Sequence, residues 1–573
     1  MNGETDARAC RNLKTPYRRA KAWNGDGAGG QMATNLMGEA DAASASTTVP
    51  QPSRRDIQLI ITASSLGTIF EWYDFFIYGT LAASGVIGRT FFPAQSELLQ
   101  TLYAWAGFAV GFGFRPLGAI LFGFLGDRMG RKYTFLVTIS MMGLATAAVG
   151  MVPSAATIGI AAPLIIIGLR ILQGLALGGE YGGAAIYVAE HSPPGKSGYY
   201  TSFIQASVAG GFILSLAVVL ATRGILGASA WAAWGWRVPF VFSLLLLGVS
   251  LFMRLKLSES PVFRQMKAAG TTARNPFVES FTYPGNLKRL AVALFGIAAG
   301  LTVIWYTAMF TVLSFLEGPM RVEETTAQLI VGVGALGGLG FFVLFGRLSD
   351  RFGRKNPIII GYALTLALLF PIFWVLGSAA NPQLAAAARH APVIVSGPSC
   401  AYNPFAARQT DACGQLLDTL SRKGVPYTKA HTPVTLVIIG GTPVTDRSSA
   451  GLDAALVAAG YDLDPVVPGA RSIALILVAI LALSALSGIT YGPVAALLAE
   501  MFPPRIRYSS MSIPYHVGTG YFGGFLPFIS QYIVARTGNP YAGLWYTFAV
   551  VAMALVVTTL WLEDVRPVRS KAG

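Results

Sequence analysis

Long apolar stretches separated by short polar loops recur from about residue 57 to residue 562. A helix that crosses a bilayer needs roughly 20 mainly apolar residues, and about twelve stretches meet that measure. In the first half they lie near 57–83, 98–124, 133–153, 159–187, 199–222 and 236–256. In the second half they lie near 289–315, 326–346, 356–378, 471–495, 509–535 and 541–562. Glycine is frequent within them, as in membrane helices whose backbones approach closely. The pattern predicts an all-α membrane protein.

One loop is written twice, GFLGDRMGRK at 123–132 and GRLSDRFGRK at 346–355. A second pair of segments, YVAEHSPPGKSGYYTS from 187 and LLAEMFPPRIRYSSMS from 497, keeps Ala189, Glu190, Pro193 and Pro194 in register with Ala499, Glu500, Pro503 and Pro504. The chain therefore reads as two similar six-helix bundles, 56–257 and 289–564, joined by a central loop at 258–288. Gly123 and Glu190 are 67 positions apart, Gly346 and Glu500 are 154 apart, and the second half carries the excess of 87. Hydropathy places that excess at about 379–470, dividing the second bundle into 289–378 and 471–564. A loop so long with no structure of its own is unusual. VIV at 393–395 and VTLVII at 434–439 have the composition of short strands, and 411–422 and 449–460 that of amphipathic helices. These runs are too short to span a bilayer, so a small α/β insert is expected.

Composition narrows the class. Of 573 residues 53% are hydrophobic and 12% charged, with a mean hydropathy of +0.56. A soluble chain normally carries about twice that charge. The net charge of +15 does not indicate nucleic-acid binding, because the basic residues sit in loops between apolar spans. Loops at 125–132, 254–289, 347–355 and 503–507 fall on one face with both termini when spans are counted, and that face is expected to be cytoplasmic. Residues 1–55 and 565–573 then form cytoplasmic tails, the first polar, basic and without the apolar core of a signal peptide. Met32 or Met37 is an alternative start. The insert lies on the opposite side, where Cys400 and Cys413 either form a disulfide or stay free. Closing so short a loop would stabilise it by about 3 kcal/mol in the chain-entropy model. No nucleotide loop, metal cluster or nucleophile constellation is found, so neither an enzyme nor a cofactor is expected beyond a coupling proton.

The doubled loop resembles the signature of the major facilitator superfamily, and LRILQGLALGGE at 169–180 resembles its fourth-helix motif. EWYDFFIYG at 71–79, FRPLGAILFG at 114–123, GGEYGGAAIYVAE at 178–190, WGWRVPF at 234–240 and SESPVF at 258–263 are similar to the metabolite:proton symporter family within it. The resemblance covers roughly 55–378 and 471–565 and excludes the tail and the insert. It implies a monomeric multi-pass transporter of a bacterial-type inner membrane, taking up α-ketoglutarate, shikimate, citrate, or proline and betaine by alternating access. It also matches Arg170 to a motif arginine implicated in proton transfer.

Charges inside the bilayer cost several kcal/mol unless paired or in a watery cavity, so each is a functional candidate. Glu71 and Asp74 are three apart and share a helix face, expected to line the cavity. Neighbouring carboxylates in a low dielectric push at least one pKa upward, so Asp74, then Glu71, are the proton-coupling candidates; a structural pairing with arginine is the other reading. Arg115 offers a permanently charged planar fork suited to a carboxylate, or an internal ion pair with Glu71 or Asp74. Arg170 and Glu180 lie about 15 Å apart along one helix, each a coupling or a helix-locking residue. His516 either titrates or packs, Arg237 is expected at the membrane edge, and Trp72, Tyr73, Trp305 and Tyr306 either line the pocket or pack. Asp127, Arg128, Arg131 and Glu190, with Asp350, Arg351, Arg354 and Glu500 as counterparts, are expected to clamp helix ends as gates. The reading is proton-coupled uptake of a small organic anion; a zwitterionic osmolyte held by aromatics, and a transporter-like sensor using the insert, are the alternatives.

Overall fold

The computed structural model describes residues 54–93, 96–129, 131–179, 181–255, 275–398, 400, 402–406 and 409–563. Within these, residues 54–56, 123, 124, 126–129, 131–133, 135, 181, 254 and 422 are described by backbone alone. Both expected tails, apart from the start of the first helix, and most of the central loop lie outside this set.

The first half contains α1 (Arg54–Ala83), α2 (Glu97–Gly113), α3 (Arg115–Met129), α4 (Arg131–Met151), α5 (Ala161–Gly178), α6 (Tyr181–His191), α7 (Ser197–Ala233) and α8 (Val238–Leu255). Helix α9 is a continuous helical run, Asn286–Glu317, loosened by π-helical turns at Val292–Ala298 and Thr307–Thr311. It is followed by α10 (Glu324–Phe352) and α11 (Lys355–Ala380). Nine helical runs among the described residues are long and apolar enough to cross a membrane. Three expected spans are not among these nine: α1 carries Glu71 and Asp74, several side chains at the start of α4 lie outside the described set, and the 509–535 run is interrupted at Phe525.

Small residues set the tightest approaches. A Cβ at Gly174 would strike the carbonyl oxygen of Gly111, and one at Gly178 would strike that of Arg115. These two glycines let α5 lie directly against the α2–α3 backbone, and this brings Arg115 and Arg170 into the interior. Helix α7 packs along α1 in its own half and along α10 in the other.

Between α11 and α15 (Ala470–Tyr491) the chain forms α12 (Pro382–His390), β1 (Val393–Gly397), α13 (Ala412–Arg422), β2 (Tyr427–His431), β3 (Leu436–Ile439), β4 (Thr442–Pro443) and α14 (Ser449–Ala458). The sheet order is β2-β1-β3-β4. Strand β2 runs parallel to β1 with Val393 opposite Tyr427, and β3 runs antiparallel with Val393 opposite Ile439. Leu417 and Leu420 of α13 and Val395 and Val437 of the sheet are fully buried, which gives this unit its own apolar centre. Cys400 and Cys413 are joined, their Cα atoms 5.1 Å apart. After α15 come α16 (Val494–Met501), α17 (Arg507–Val517), a π-helical turn at Gly518–Gly524, α18 (Leu526–Thr537) and α19 (Leu544–Trp561).

The α/β unit rests on the end of α18. The Tyr427 N–H donates to Gly538 O at 3.4 Å and Lys429 Nζ to Arg536 O at 2.8 Å. Arg536 Nη1 donates to Tyr402 O at 3.3 Å, and the Phe405 ring stacks on Tyr532 with centroids 5.4 Å apart. Partial burial, followed by the charge of Arg536, lowers the Lys429 pKa.

Replacing Gly178 by leucine forces a side chain into the Arg115 backbone and is expected to cost about 3 kcal/mol. Thermal unfolding in detergent checks this: a marked fall in midpoint is expected for Gly178→Leu, and none for Gly168→Leu, whose Cβ would point into open space.

Candidate functional site

The two halves meet at a small internal cavity. Trp72 and Val208 line it from the first half; Leu301, Thr302, Trp305, Tyr306, Tyr491, Tyr515 and Thr519 line it from the second. Its wall is mostly aromatic, with hydroxyls as the polar groups. The Tyr491 and Tyr515 hydroxyls hydrogen-bond at 2.7 Å. Among the described residues the Tyr306 hydroxyl and Trp305 Nε1 are buried without a hydrogen-bond partner.

Arg115 does not line the cavity itself but sits against two residues that do, Trp72 and Thr519. Its side chain is fully buried, and Nη1 donates to Thr519 Oγ1 across the halves at 3.3 Å. The guanidinium carbon lies 5.1 Å from the ring centroids of both Trp72 and Phe112. Cation–π contacts of this kind partly offset the loss of water. His516 is fully buried nearby, feels the Arg115 charge, and has neither ring nitrogen hydrogen-bonded among the described residues. It does not line the cavity itself; Tyr515 and Thr519 on either side do.

Glu71 and Asp74 share a face, as their spacing predicts, but that face is not the one lining the cavity between the halves. Both border a second pocket inside the first half, with Ile139 and Met142 of α4 and Leu246, Leu247 and Ser250 of α8. Trp72 is the residue of this stretch that reaches the central cavity. Tyr73 is also turned inward: its hydroxyl donates to Pro239 O at 2.6 Å and its ring meets Phe242 edge-on. Of the two readings of Tyr73, this arrangement shows the packing one, and Tyr73 does not line the cavity. Helical periodicity says which residues share a face, not which neighbour that face meets.

Arg170 lies deeper in the first half, fully buried. Its guanidinium carbon is 4.1 Å from the Phe75 ring centroid and 4.5 Å from that of Tyr78. Nη1 donates to Gln173 Oε1 at 2.7 Å, Gln173 Nε2 donates to Thr146 Oγ1 at 2.7 Å, and the Thr146 hydroxyl reaches Asp74 O at 3.3 Å. A polar chain thus links Arg170 to the backbone of the Asp74 turn. Gln173 and Thr146 are members that charge alone does not flag; Gln173 was visible only as the polar residue in LRILQGLALG.

The helix ends carry the second functional feature. Arg354 is fully buried and holds Asp350 Oδ1 at 2.8 Å and Glu500 Oε1 at 3.0 Å, with Nε 3.2 Å from Glu500 Oε2. Asp350 accepts the N–H groups of Gly198 and Tyr199 at 2.8 Å each, and so caps the start of α7 in the other half. Ser197 Oγ donates to Glu500 Oε1 at 2.6 Å. Burial works against the Arg354 charge, but Glu500 and then Asp350 outweigh it and hold its pKa above the ordinary arginine value. Glu190 meets Arg507 of the second half at 3.2 Å. Arg351 is exposed and enters no hydrogen bond among the described residues, so it takes no part in this clamp. At the opposite end of the same helix pair, Arg223 of α7 meets Glu324 of α10 at 2.8 Å. The two halves are therefore tied at both ends of α7 and α10, with the cavity enclosed between them. Arg237 sits at a helix start, 4.2 Å over the Trp236 ring. The side chains of Asp127, Arg128 and Arg131, and Glu180 altogether, lie outside the described residues.

The Major Facilitator Superfamily model matches residues 64–408. The shikimate transporter of Escherichia coli strain K12 is 39% identical over 320 residues, which are 55% of this chain and 71% of that protein. The proline/betaine transporter of Salmonella typhimurium is 36% identical over 324 residues, 56% of this chain and 64% of that protein. The proton:xylose symporter XylE, in a structure with bound 6-bromo-6-deoxy-D-glucose, covers 89% of this chain and 97% of its own at a TM-score of 0.58 and 16% identity, a likeness of fold alone. A family match across more than half the chain, on a helical membrane fold with two clamped halves around one cavity, makes this protein a member of the Major Facilitator Superfamily of transporters.

Proposed function

We propose that the protein takes up a small organic anion together with protons, by alternating access. The observation that carries this reading is the buried Arg115 guanidinium directly behind the wall of the cavity between the halves, against Trp72 and hydrogen-bonded to Thr519 of the second half. Twelve spans, both termini and the doubled loop in the cytoplasm, and the α/β unit outside complete the picture, in a bacterial inner membrane. A fixed cation in a dry, aromatic site recognises a carboxylate more strongly than the same cation in water. Substrate arriving at Arg115 changes its bonding to Thr519, and so reports occupancy to both halves. Asp74 and Glu71 exchange the proton; the Thr146–Gln173–Arg170 chain connects their helix turn to α5. The clamps at Arg354 and Arg223 then break in alternation. The Arg223–Glu324 pair is worth little enough to be left, because both side chains are about a quarter exposed; at the other end the partly exposed Glu500 is the partner that leaves.

The aromatic lining favours one other substrate class. Trp72, Trp305 and Tyr306 could hold the quaternary or secondary ammonium of a betaine- or proline-like zwitterion, with Arg115 taking its carboxylate. A relative that transports proline and betaine agrees with this reading.

Uptake of labelled carboxylates and betaines into proteoliposomes, with and without an inward proton gradient, tests the proposal. Accumulation of a carboxylate that collapses without the gradient is expected; gradient-independent uptake contradicts it. Arg115→Lys keeps the charge but loses the fork, and is expected to weaken anion binding roughly tenfold to a hundredfold, measured as the apparent KM. Asp74→Asn should abolish gradient-driven accumulation and leave counterflow exchange; unchanged accumulation would remove Asp74 from the coupling role. Arg354→Gln removes the cation that Asp350 and Glu500 share and should open that end. Labelling of a cysteine at Thr302 from the cytoplasmic side, by an impermeant maleimide, is then expected to rise by roughly tenfold or more.

A further inference from the structure

The α/β unit carries a feature that transport does not use. In an α/β sheet the edge beyond the C-terminal ends of parallel strands, where neighbouring strands leave in different directions, is the place where ligands and chemistry are found. Here β1 is parallel to β2 on one side and antiparallel to β3 on the other, so its C-terminal end is such a point. The disulfide sits there. Cys400 lies three residues beyond the last residue of β1, and Cys413 is the second residue of α13, the helix linking the two parallel strands. A Cβ placed on Gly397, which ends β1, would lie 3.0 Å from Cys400 Sγ, 3.4 Å from Cys413 Cβ and 3.1 Å from Thr435 Oγ1 at the approach to β3. Both cysteines therefore converge on the strand end itself.

The two sulfurs are not equivalent. Cys413 is buried, 2% exposed, in the first turn of α13, whereas Cys400 is only partly buried. An incoming thiolate can reach Cys400, and the sulfur displaced would be Cys413. The positive end of a helix dipole stabilises a thiolate in the first turn, and a better-stabilised thiolate leaves faster. Asp411 caps the same helix through the Gly414 N–H at 2.7 Å, and its charge opposes part of that stabilisation.

We propose that the Cys400–Cys413 disulfide is a thiol–disulfide exchange site for external thiols, with Cys400 the attacked sulfur and Cys413 the leaving one. In the first step a thiolate bonds to Cys400 Sγ, the Cys400–Cys413 bond breaks, and its electron pair stays on Cys413. In the second step another external thiolate bonds to the first external sulfur and Cys400 leaves as a thiolate. Two external thiols are oxidised to one disulfide, and their two protons end on Cys400 and Cys413. The exchange takes place beside α18, because Tyr402 and Phe405, between the two cysteines in sequence, contact Arg536 and Tyr532. This site stands whatever the transported substrate is.

The full-length protein in membrane vesicles, with Cys10 replaced by serine, is incubated with reduced glutathione and then trapped with a maleimide of known mass. Opening of the disulfide in the folded protein, giving two trapped thiols per chain, is expected. In single variants offered glutathione disulfide, Cys413→Ser should collect a mixed disulfide on Cys400 roughly tenfold faster than Cys400→Ser collects one on Cys413. A bond that yields only after denaturation, cysteines that are already free as isolated, or equal rates in the two variants would each overturn the proposal.

Discussion

Keeping guanidinium charges inside an apolar helical bundle is the constraint that the rest of this molecule accommodates. Arg115, Arg170 and Arg354 are all fully buried. Each would cost several kcal/mol without compensation, and each is compensated differently. Arg170 is sandwiched by Phe75 and Tyr78 and hydrogen-bonded to Gln173. Arg354 is met by two carboxylates and two serines. Arg115 has aromatic faces and a threonine of the other half. That last arginine touches Trp72 and Thr519, two residues of the cavity wall, so its charge lies where a substrate carboxylate would meet it. The close contact of α5 with α2 and α3 at Gly174 and Gly178 serves the same end by bringing these arginines inside.

The α7–α10 pair turns this chemistry into a device with two ends. At one end Asp350 caps the α7 amides and Arg354 ties Asp350 to Glu500; at the other Arg223 meets Glu324. A helix N-terminus binds a carboxylate with fixed geometry, so the first clamp is specific as well as electrostatic. Packed helices switch between discrete arrangements instead of deforming continuously, and clamps of modest strength at both ends let either side release. With both clamps made, the aromatic cavity is enclosed.

Much of this was legible in the sequence. The doubled loop pointed to Asp350 and Arg354, and the repeated Ala-Glu pair pointed to Glu190 and Glu500. Their partners across the two halves were not legible. Ser197, Arg507 and the amides of Gly198 and Tyr199 come from the opposite half, and long-range pairing leaves no local pattern. Glu71 and Asp74 could be assigned a common face but not the α4–α8 pocket they border, since amphipathic spacing does not name the neighbouring helix. Tyr73 was assigned to the pocket by its neighbours in sequence, and its hydroxyl is committed to Pro239. In the α/β unit the strands at 393–395 and 434–439 stood out because they are apolar. Strand β2, YTKAH, did not, because an exposed edge strand that needs only one buried residue, Tyr427, carries no alternation.

The claim on which the rest turns is that a carboxylate at Arg115 moves with a proton. Purified protein in liposomes enclosing a pH-sensitive dye measures this directly when carboxylate is added outside with no imposed gradient. The account predicts acidification of the lumen that follows carboxylate uptake and disappears in Arg115→Ala. Uptake of carboxylate with an unchanged lumenal pH would contradict it.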